Sequence, residues 1–310
     1  MFFLPFCAEI QPPLDLNELC RSAVVEAKAA FPDPVIKDED LGVKIIILPS
    51  PGVSRQEGGY GAKNRFYPAS VVKLYYLAYG AHLKSQNRLN LTPEHDRAFK
   101  DMIVDSSNDG TGLVLDLITD TTGGAELPDA EMKEWMRKRQ AVNRWLKSIG
   151  VPDTNASQKT WNEGPYGRER IGYGPNYELR NTASAESSAR MMELIAEGKV
   201  GGKAEQEWMF KHLFRDHVKG DGQTKTFIGK VVPPGWKHYS KAGWAYEVRC
   251  DVAYLVAPDG RRIVLSVYTD HNVKNLQLLP FLAEKVLRGV GAITDKEEAW
   301  SKQVEEEPEL

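Results

Sequence analysis

The order of elements predicts an α+β fold: one antiparallel sheet flanked by the terminal helices, with an all-helical lobe inserted between its strands. Three observations carry this. A β-branched run, Val43 to Leu48, stands near the start of the chain. Three further strand-like runs follow Lys237. Between them, residues 65 to 205 read almost wholly as helix and loop. Both chain ends would then join one sheet, and a cleft would lie between sheet and lobe, where active sites tend to lie. The expected bodies are 1–64 together with 206–294, then 65–205, then an acidic tail, 295–310, expected to be disordered.

Each element has its own signal. Leu16, Leu19, Val24, Ala27 and Ala30 recur near helical spacing and predict a helix over Leu16 to Phe31, ended by Pro32 and Pro34. Val43 to Leu48 reads as a buried strand. Pro49 to Gly52 and Gly58 to Gly61 read as loop around it. Ser70 to Leu83 is the most hydrophobic helix of the chain. It is apolar on nearly every face, so it belongs at the centre of the core. Pro93 to Val104 is a second helix. The polar stretch Asp105 to Gly110 interrupts it before helix resumes through Leu113 to Ile118. Met132, Trp135, Met136, Val142, Trp145, Leu146 and Ile149 stripe one long helix over Asp129 to Ile149, with Gly150 at its C′ position.

Val151 to Thr182 has no periodicity and is rich in Gly, Pro, Asn and Tyr. A loop of that length inside a compact protein is usually functional. Ser184 to Glu197 and Ala204 to Phe214 are helical. Lys237 to Gly243, Val248 to Val256 and Arg261 to Thr269 are successive strands, the last two joined by the turn at Pro258-Asp259-Gly260. Val273 to Leu287 closes the fold as a helix.

Composition removes some functions. Across 310 residues, Lys+Arg number 40 and Asp+Glu 43, a formal charge of -3. No basic excess exists to attract a nucleic acid. No run of about 18 apolar residues predicts a membrane span. Met1 to Cys7 is apolar, but it lacks a basic lead and stops at Glu9. On sequence alone this predicts no signal peptide and a cytoplasmic location. Cys7, Cys20 and Cys250 are odd in number, form no close pair and read as buried thiols. His212, His217, His238 and His271 show no metal-ligand spacing, so no metal is expected.

The chemistry starts at Ser70 and Lys73. Ser70 alone reads as a helix cap. Lys73 asks for more. A cation in the first turn opposes the helix dipole, and this one stands among Val71, Val72, Leu74, Tyr75, Tyr76 and Leu77. Burying it costs free energy unless something pairs with it. Residues three apart share a helix face, so Lys73 can reach the Ser70 hydroxyl. Desolvation would lower its pKa and leave a neutral amine as a base. Ser106-Ser107-Asn108 alone reads as a polar loop joining two helices. Lys241-Ala242-Gly243 alone reads as an edge strand with a solvated lysine.

Together, Ser-x-x-Lys, Ser-x-Asn and Lys-x-Gly in this order resemble the penicillin-recognising serine enzymes, the class A β-lactamases and penicillin-binding proteins. Phe66 to Lys73 is similar to that family's nucleophile segment. Met102-Ile103 stands before Ser106 as in the class A group. Arg180-Asn181-Thr182 resembles the end of its omega loop. Gly235-Trp236, Asp251-Val252-Ala253 and Ile263 to Thr269 resemble its terminal sheet. The resemblance covers about residues 40 to 290.

It implies a β-lactamase/transpeptidase-like fold and a set of roles. Ser70 would attack the lactam or peptide carbonyl, and Lys73 would take or relay its proton. Ser106 would carry the proton to the leaving nitrogen. Asn108 would hold the substrate's amide side chain. Lys241, Ala242, Gly243 and Trp244 would line the substrate site, with Lys241 facing a substrate carboxylate. The backbone N–H groups of Ser70 and of Trp244 or its neighbour would form the oxyanion hole. Ala242 stands where the family usually carries a hydroxyl, and Ser107 where Asp is common. The family's Glu-x-x-Leu-Asn segment is absent. Glu163, Glu169 and Glu178 remain as candidates for the acid that activates water, and the choice among them stays open. No metal or organic cofactor is implied.

The implied enzyme is a monomeric serine hydrolase of a small β-lactam or peptide-like substrate, periplasmic or secreted. The alternatives are a D-Ala-D-Ala carboxypeptidase or transpeptidase, a serine hydrolase of another ester or amide, and a catalytically weak binding member of the fold.

Overall fold

The computed structural model describes residues 14–151 and 153–294. The apolar start at Met1 to Cys7 and the acidic tail at 295–310 lie outside the described residues. Helix α1, Leu16–Ala30, is capped by Asp15, whose carboxylate accepts the N–H groups of Asn17 and Glu18. Those donors have no partner inside the helix, so the cap fixes where it starts. Strands β1, Leu41–Ile47, and β2, Gln56–Tyr60, form an antiparallel pair.

Gly58, Gly59 and Tyr60 are therefore strand residues, not the loop the sequence suggested. The reason is packing. A Cβ on Gly58 would stand 2.4 Å from the backbone of Leu16. Glycine is there because α1 crosses the strand at close range.

A 3-10 turn, Ala69–Val71, leads into α2, Val72–Ser85. The α-helix thus begins two residues after Ser70. Helix α2 is apolar all round because it has neighbours all round: α3, Pro93–Ile103, and α4, Asn108–Thr119, pack against it. The single helix expected over Asp129 to Ile149 is two, α5, Asp129–Arg139, and α6, Ala141–Ser148, broken at Gln140. Helix α5 packs on α4 while α6 packs on α2. One straight axis could not serve both, and the break leaves Arg139 pointing inward with no exposed surface.

Among the described residues of the long loop, one short helix forms, α7, Gly167–Gly172. Helices α8, Ala185–Ala196, and α9, Lys203–Leu213, follow. A two-residue strand the sequence did not reveal, β3, Phe214–Arg215, comes next. Then come β4, Lys237–Ala245, β5, Val248–Val256, and β6, Arg262–Thr269. The last helix, α10, spans Leu278–Gly289 and starts five residues later than expected. Asn275 sets that start, because its side-chain oxygen accepts the N–H groups of Gln277 and Leu278.

The sheet order is β2-β1-β6-β5-β4-β3, antiparallel throughout. The chain ends meet as expected, with Leu41 opposite Thr269 and Ile47 opposite Ile263. One face of the sheet is covered by α1 and α10, whose core includes Cys20, Val24, Leu265, Leu282 and Val286. The helical lobe covers the other face, with Val72, Tyr76, Phe99, Leu115 and Met192 in its core. Helix α8 lies directly on β1, β5 and β6.

Candidate active site

The 3-10 turn that carries Ser70 is held from both sides. Pro68 precedes it, and its carbonyl accepts from Val71 N at 2.9 Å and from Cys250 Sγ at 3.1 Å. Ala69 sits at φ +44°, a conformation an alanine adopts only under constraint. Strand β4 supplies that constraint. A Cβ on Gly243 would lie 2.7 Å from Ser70 N and 2.9 Å from Val71 N. Only glycine lets the strand come this close to the turn.

Lys73 stands one turn further on, with no exposed surface. Its Nζ donates to Ser106 O at 2.6 Å and to Asn108 Oδ1 at 2.9 Å, with Ser106 Oγ at 3.3 Å and Ser107 O at 3.4 Å. All four are uncharged oxygens. Burial therefore acts unopposed and brings the pKa of this amine down to about 7. None of its hydrogen bonds goes to Ser70 Oγ. The two side chains share the helix start without touching through a proton, a separation common in unliganded sites.

The gap between α3 and α4 exists to present Ser106. That residue is at φ +55°, while Ser107 caps α4 by accepting from Gly110 N at 3.0 Å. Ser106 Oγ consequently lies between two lysines, 3.3 Å from Lys73 Nζ and 3.1 Å from Lys241 Nζ. Lys241 is not the solvated lysine of an edge strand: β3 borders its strand, and it has no exposed surface. Its other acceptors are Gln223 Oε1 and Ala242 O, both at 2.7 Å. Burial, and then the repulsion of Lys73 and Arg215, hold its pKa well below the lysine range. Across from Ala242 on β5, buried Asp251 is pushed up to about 7 by the same desolvation. Among the described residues, no carboxylate pairs with either lysine.

The remaining positions fall around this centre. The methyl of Ala242 packs in the core under α1 and α10. Trp244 is half exposed and tilts against Phe227. Asn108, whose Oδ1 holds Lys73, uses Nδ2 to donate to Asn162 Oδ1 at 2.7 Å. This is where the long loop reaches the site. Glu163 follows Asn162 and is exposed.

Glu169 lies elsewhere. It is buried in α7, bonded to Arg139 through both oxygens at 2.8 and 3.1 Å, with Lys159 Nζ at 3.0 Å. Asp116 completes the cluster, 2.8 Å from Arg139 and 2.6 Å from Lys159. Glu178 accepts from Asn176 N near the surface. The loop is further tied to α2 by Tyr76, whose hydroxyl donates to Gln158 O at 2.7 Å. Tyr173 also packs the loop inward, donating to Lys159 O.

Gln223, Arg139 and Asn162 are contacts the sequence did not announce. A buried lysine on a strand does demand acceptors, but nothing in the pattern says which amide supplies one. Among the described residues, no group of three or more His, Cys, Asp or Glu is placed to hold a metal ion. No helix among them is long and apolar enough to cross a membrane.

The fold is shared with known proteins. No curated protein sequence matches the chain. Its fold is similar to a β-lactamase from Sphaerobacter thermophilus, at 20% identity and TM-score 0.65, over 91% of this chain and 100% of that one. It is similar to PBP-A at 17% identity and TM-score 0.62, over 91% and 99%. A β-lactamase from Xanthomonas campestris gives 15% and 0.65, over 89% and 99%. The model of the family described as "Beta-lactamase enzyme family" matches residues 52–288. That span holds the turn at Ser70, the segment at Ser106 and the strand of Lys241, and the chain belongs to the beta-lactamase enzyme family.

Proposed function

We propose that the protein acylates Ser70 with a β-lactam and then hydrolyses the ester. The observation that carries this is Lys73: an amine without exposed surface, one turn from Ser70, shifted to about 7 and bound only by uncharged oxygens. In this reading Ser70 Oγ attacks the lactam carbonyl and its proton passes to neutral Lys73. The N–H groups of Ser70 and Trp244 face the oxyanion. The C–N bond breaks as Ser106 Oγ gives a proton to the leaving nitrogen. Lys73, 3.3 Å from Ser106 Oγ, passes on the proton it took from Ser70 to replace that one, while Lys241, on the far side of Ser106, keeps its charge and faces the substrate carboxylate. Asn108 holds the substrate amide. For water activation the choice is Glu163, because its neighbour Asn162 bonds Asn108, whereas Glu169 is saturated by Arg139 and Lys159.

Intact mass followed over time with a penicillin tests this. The expected result is a burst of adduct equal to the mass of the whole β-lactam, carried on the peptide that contains Ser70. Slow decay should follow, since the family's Glu-x-x-Leu-Asn segment is missing and Glu163 stands exposed. Glu163→Gln should lengthen that decay and spare the burst. An adduct on another peptide, or none with any β-lactam, would rule the reading out. A long-lived adduct that Glu163→Gln does not prolong would favour a penicillin-binding peptidase.

The pH dependence has a definite sign. Neutral Lys73 is the base, so acylation should rise with pH and reach half its plateau near 7. It should fall again where Lys241 loses its proton. Lys73→Met should slow acylation by roughly 10²-fold or more and remove the acidic limb. Stability carries the same signature. Lys73 binds its proton more weakly folded than unfolded, so stability should rise with pH from about 7 toward the ordinary lysine pKa. That slope should shrink in Lys73→Met. Stopped-flow acylation and urea melts across pH check both.

A further inference from the structure

Gln223 lies between β3 and the 3-10 turn Ile228–Val231 and belongs to no motif. It is 5% exposed. Its contacts fix which way the amide faces. Oε1 meets two cations, Lys241 Nζ at 2.7 Å and Arg215 Nη2 at 3.3 Å. Nε2 meets two carbonyls, Val104 O at 2.5 Å and Ile103 O at 3.3 Å. Those carbonyls end α3, and Ser106 follows two residues later. One buried side chain therefore ties Lys241 to the segment that presents Ser106.

We infer that Gln223 is a positioning residue for the reaction, holding Lys241 Nζ against Ser106 Oγ and supporting its charge without supplying a counter-ion. The inference rests on the acyl-enzyme reading of Ser70. An amide suits the task for a physical reason. A carboxylate at 223 would pair with Lys241 and cancel the field offered to a substrate anion. It would also set an oxygen against the carbonyls of Ile103 and Val104. An apolar side chain would take one donor from each of those carbonyls and leave them to Arg215, whose Nη1 and Nη2 also reach Val104 O and Ile103 O at 3.3 and 2.7 Å; weakening buried acceptors in this way is costly. It would also leave Lys241 with Ala242 O and Ser106 Oγ alone.

The charges facing Lys241 come from three sides. Lys73 on α2 and Arg215 on β3 oppose its proton, while Asp251 on β5 favours it; Cys250, also on β5, is held as a neutral thiol by burial. Lys73 and Lys241 thus titrate as a coupled pair, and deprotonating Lys73 relieves Lys241. Gln223 adds a short neutral acceptor on the Lys241 side of that balance.

Two variants and two readouts test this. Gln223→Met and Gln223→Glu are compared with wild type by acylation rate against pH, using a penicillin. The Lys241 titration is followed in parallel by NMR of protein labelled with ¹³C at the lysine ε carbon. Gln223→Met should slow acylation about tenfold to a hundredfold, the scale of a misplaced reacting group. It should also move the Lys241 titration, and the alkaline limb, to lower pH. Gln223→Glu should move both to higher pH and raise KM for substrates that carry a carboxylate.

The inference is overturned if neither variant moves the Lys241 titration, whatever happens to the rate; Gln223 would then only brace α3. The NMR arm reads out even if wild type forms no adduct. Failure of the Ser70 reading is therefore distinct from failure of this one.

Discussion

Ser70→Ala is expected to form no covalent adduct with any β-lactam, while melting within about 2 °C of wild type. The loss should be complete because, in the proposed reaction, the Oγ atom is the one that becomes the ester oxygen. The fold should survive because the turn does not use that atom. Val71 N bonds Pro68 O, Val72 N bonds Ala69 O, and the turn has no side-chain cap. The substitution also adds no atoms beneath β4, where Gly243 meets the backbone of residues 70 and 71. Intact mass and a thermal melt on the same sample check both halves. An adduct of undiminished yield in Ser70→Ala would move the nucleophile to another side chain.

Arg139→Met is expected to destabilise the protein by about 3–5 kcal/mol, the usual result of removing one partner from a buried ionic group. Arg139 and Glu169 are 0% and 1% exposed at their side chains. Methionine fills much of the volume but leaves Glu169 with Lys159 as its remaining cation, and Asp116 competes for that lysine. Thr121 Oγ1, which accepts from Arg139 Nε, also loses a donor. A urea titration gives the loss. A change below about 1 kcal/mol would mean that water or Lys159 takes over, and that the cluster does not hold the loop. Replacing Glu169 by leucine in the same chain should recover part of the loss, because the uncompensated charge then disappears.

The parts of the molecule legible in the sequence are those written as repeats of hydrophobicity or as fixed spacings. Helix α2 announces itself because a helix surrounded by others must be apolar on every side. The strands β1, β4, β5 and β6 announce themselves through β-branched runs, and their joining into one sheet follows from the helical middle. Ser70, Lys73, Ser106, Asn108 and Lys241 stand in three spaced motifs, and the fold brings Lys73 and Lys241 to the Ser106 hydroxyl and Asn108 to Lys73.

What was not legible depends on partners distant in sequence. Gly58 looks like a turn residue until α1 is laid across it. Gln140 carries no breaking signal; α5 and α6 separate because they pack on different helices. Strand β3 is too short to show a period. Gln223 and Asn162 are single amides whose meaning comes entirely from what faces them. Glu163 and Glu169 look alike in the loop, and only the inward turn of Arg139 tells them apart.

The close approach of Gly243 to the amide of Ser70 has a consequence for how the chain matures. The nucleophile lies on a segment of local helical contacts that can order early, whereas β4 reaches it across more than 170 intervening residues and needs β5 and β6 in register beside it. Pairings of such high contact order form slowly, after the cost of closing the long loop has been met. A chain with a finished helical lobe but an unformed β4 has Ser70 without the strand that packs on its backbone. On the proposed acylation of Ser70, reaction with a fluorescent penicillin is therefore expected to report the packing of β4 against the turn. It distinguishes the native protein from collapsed species that already have native helix content, and optical signals of helix do not.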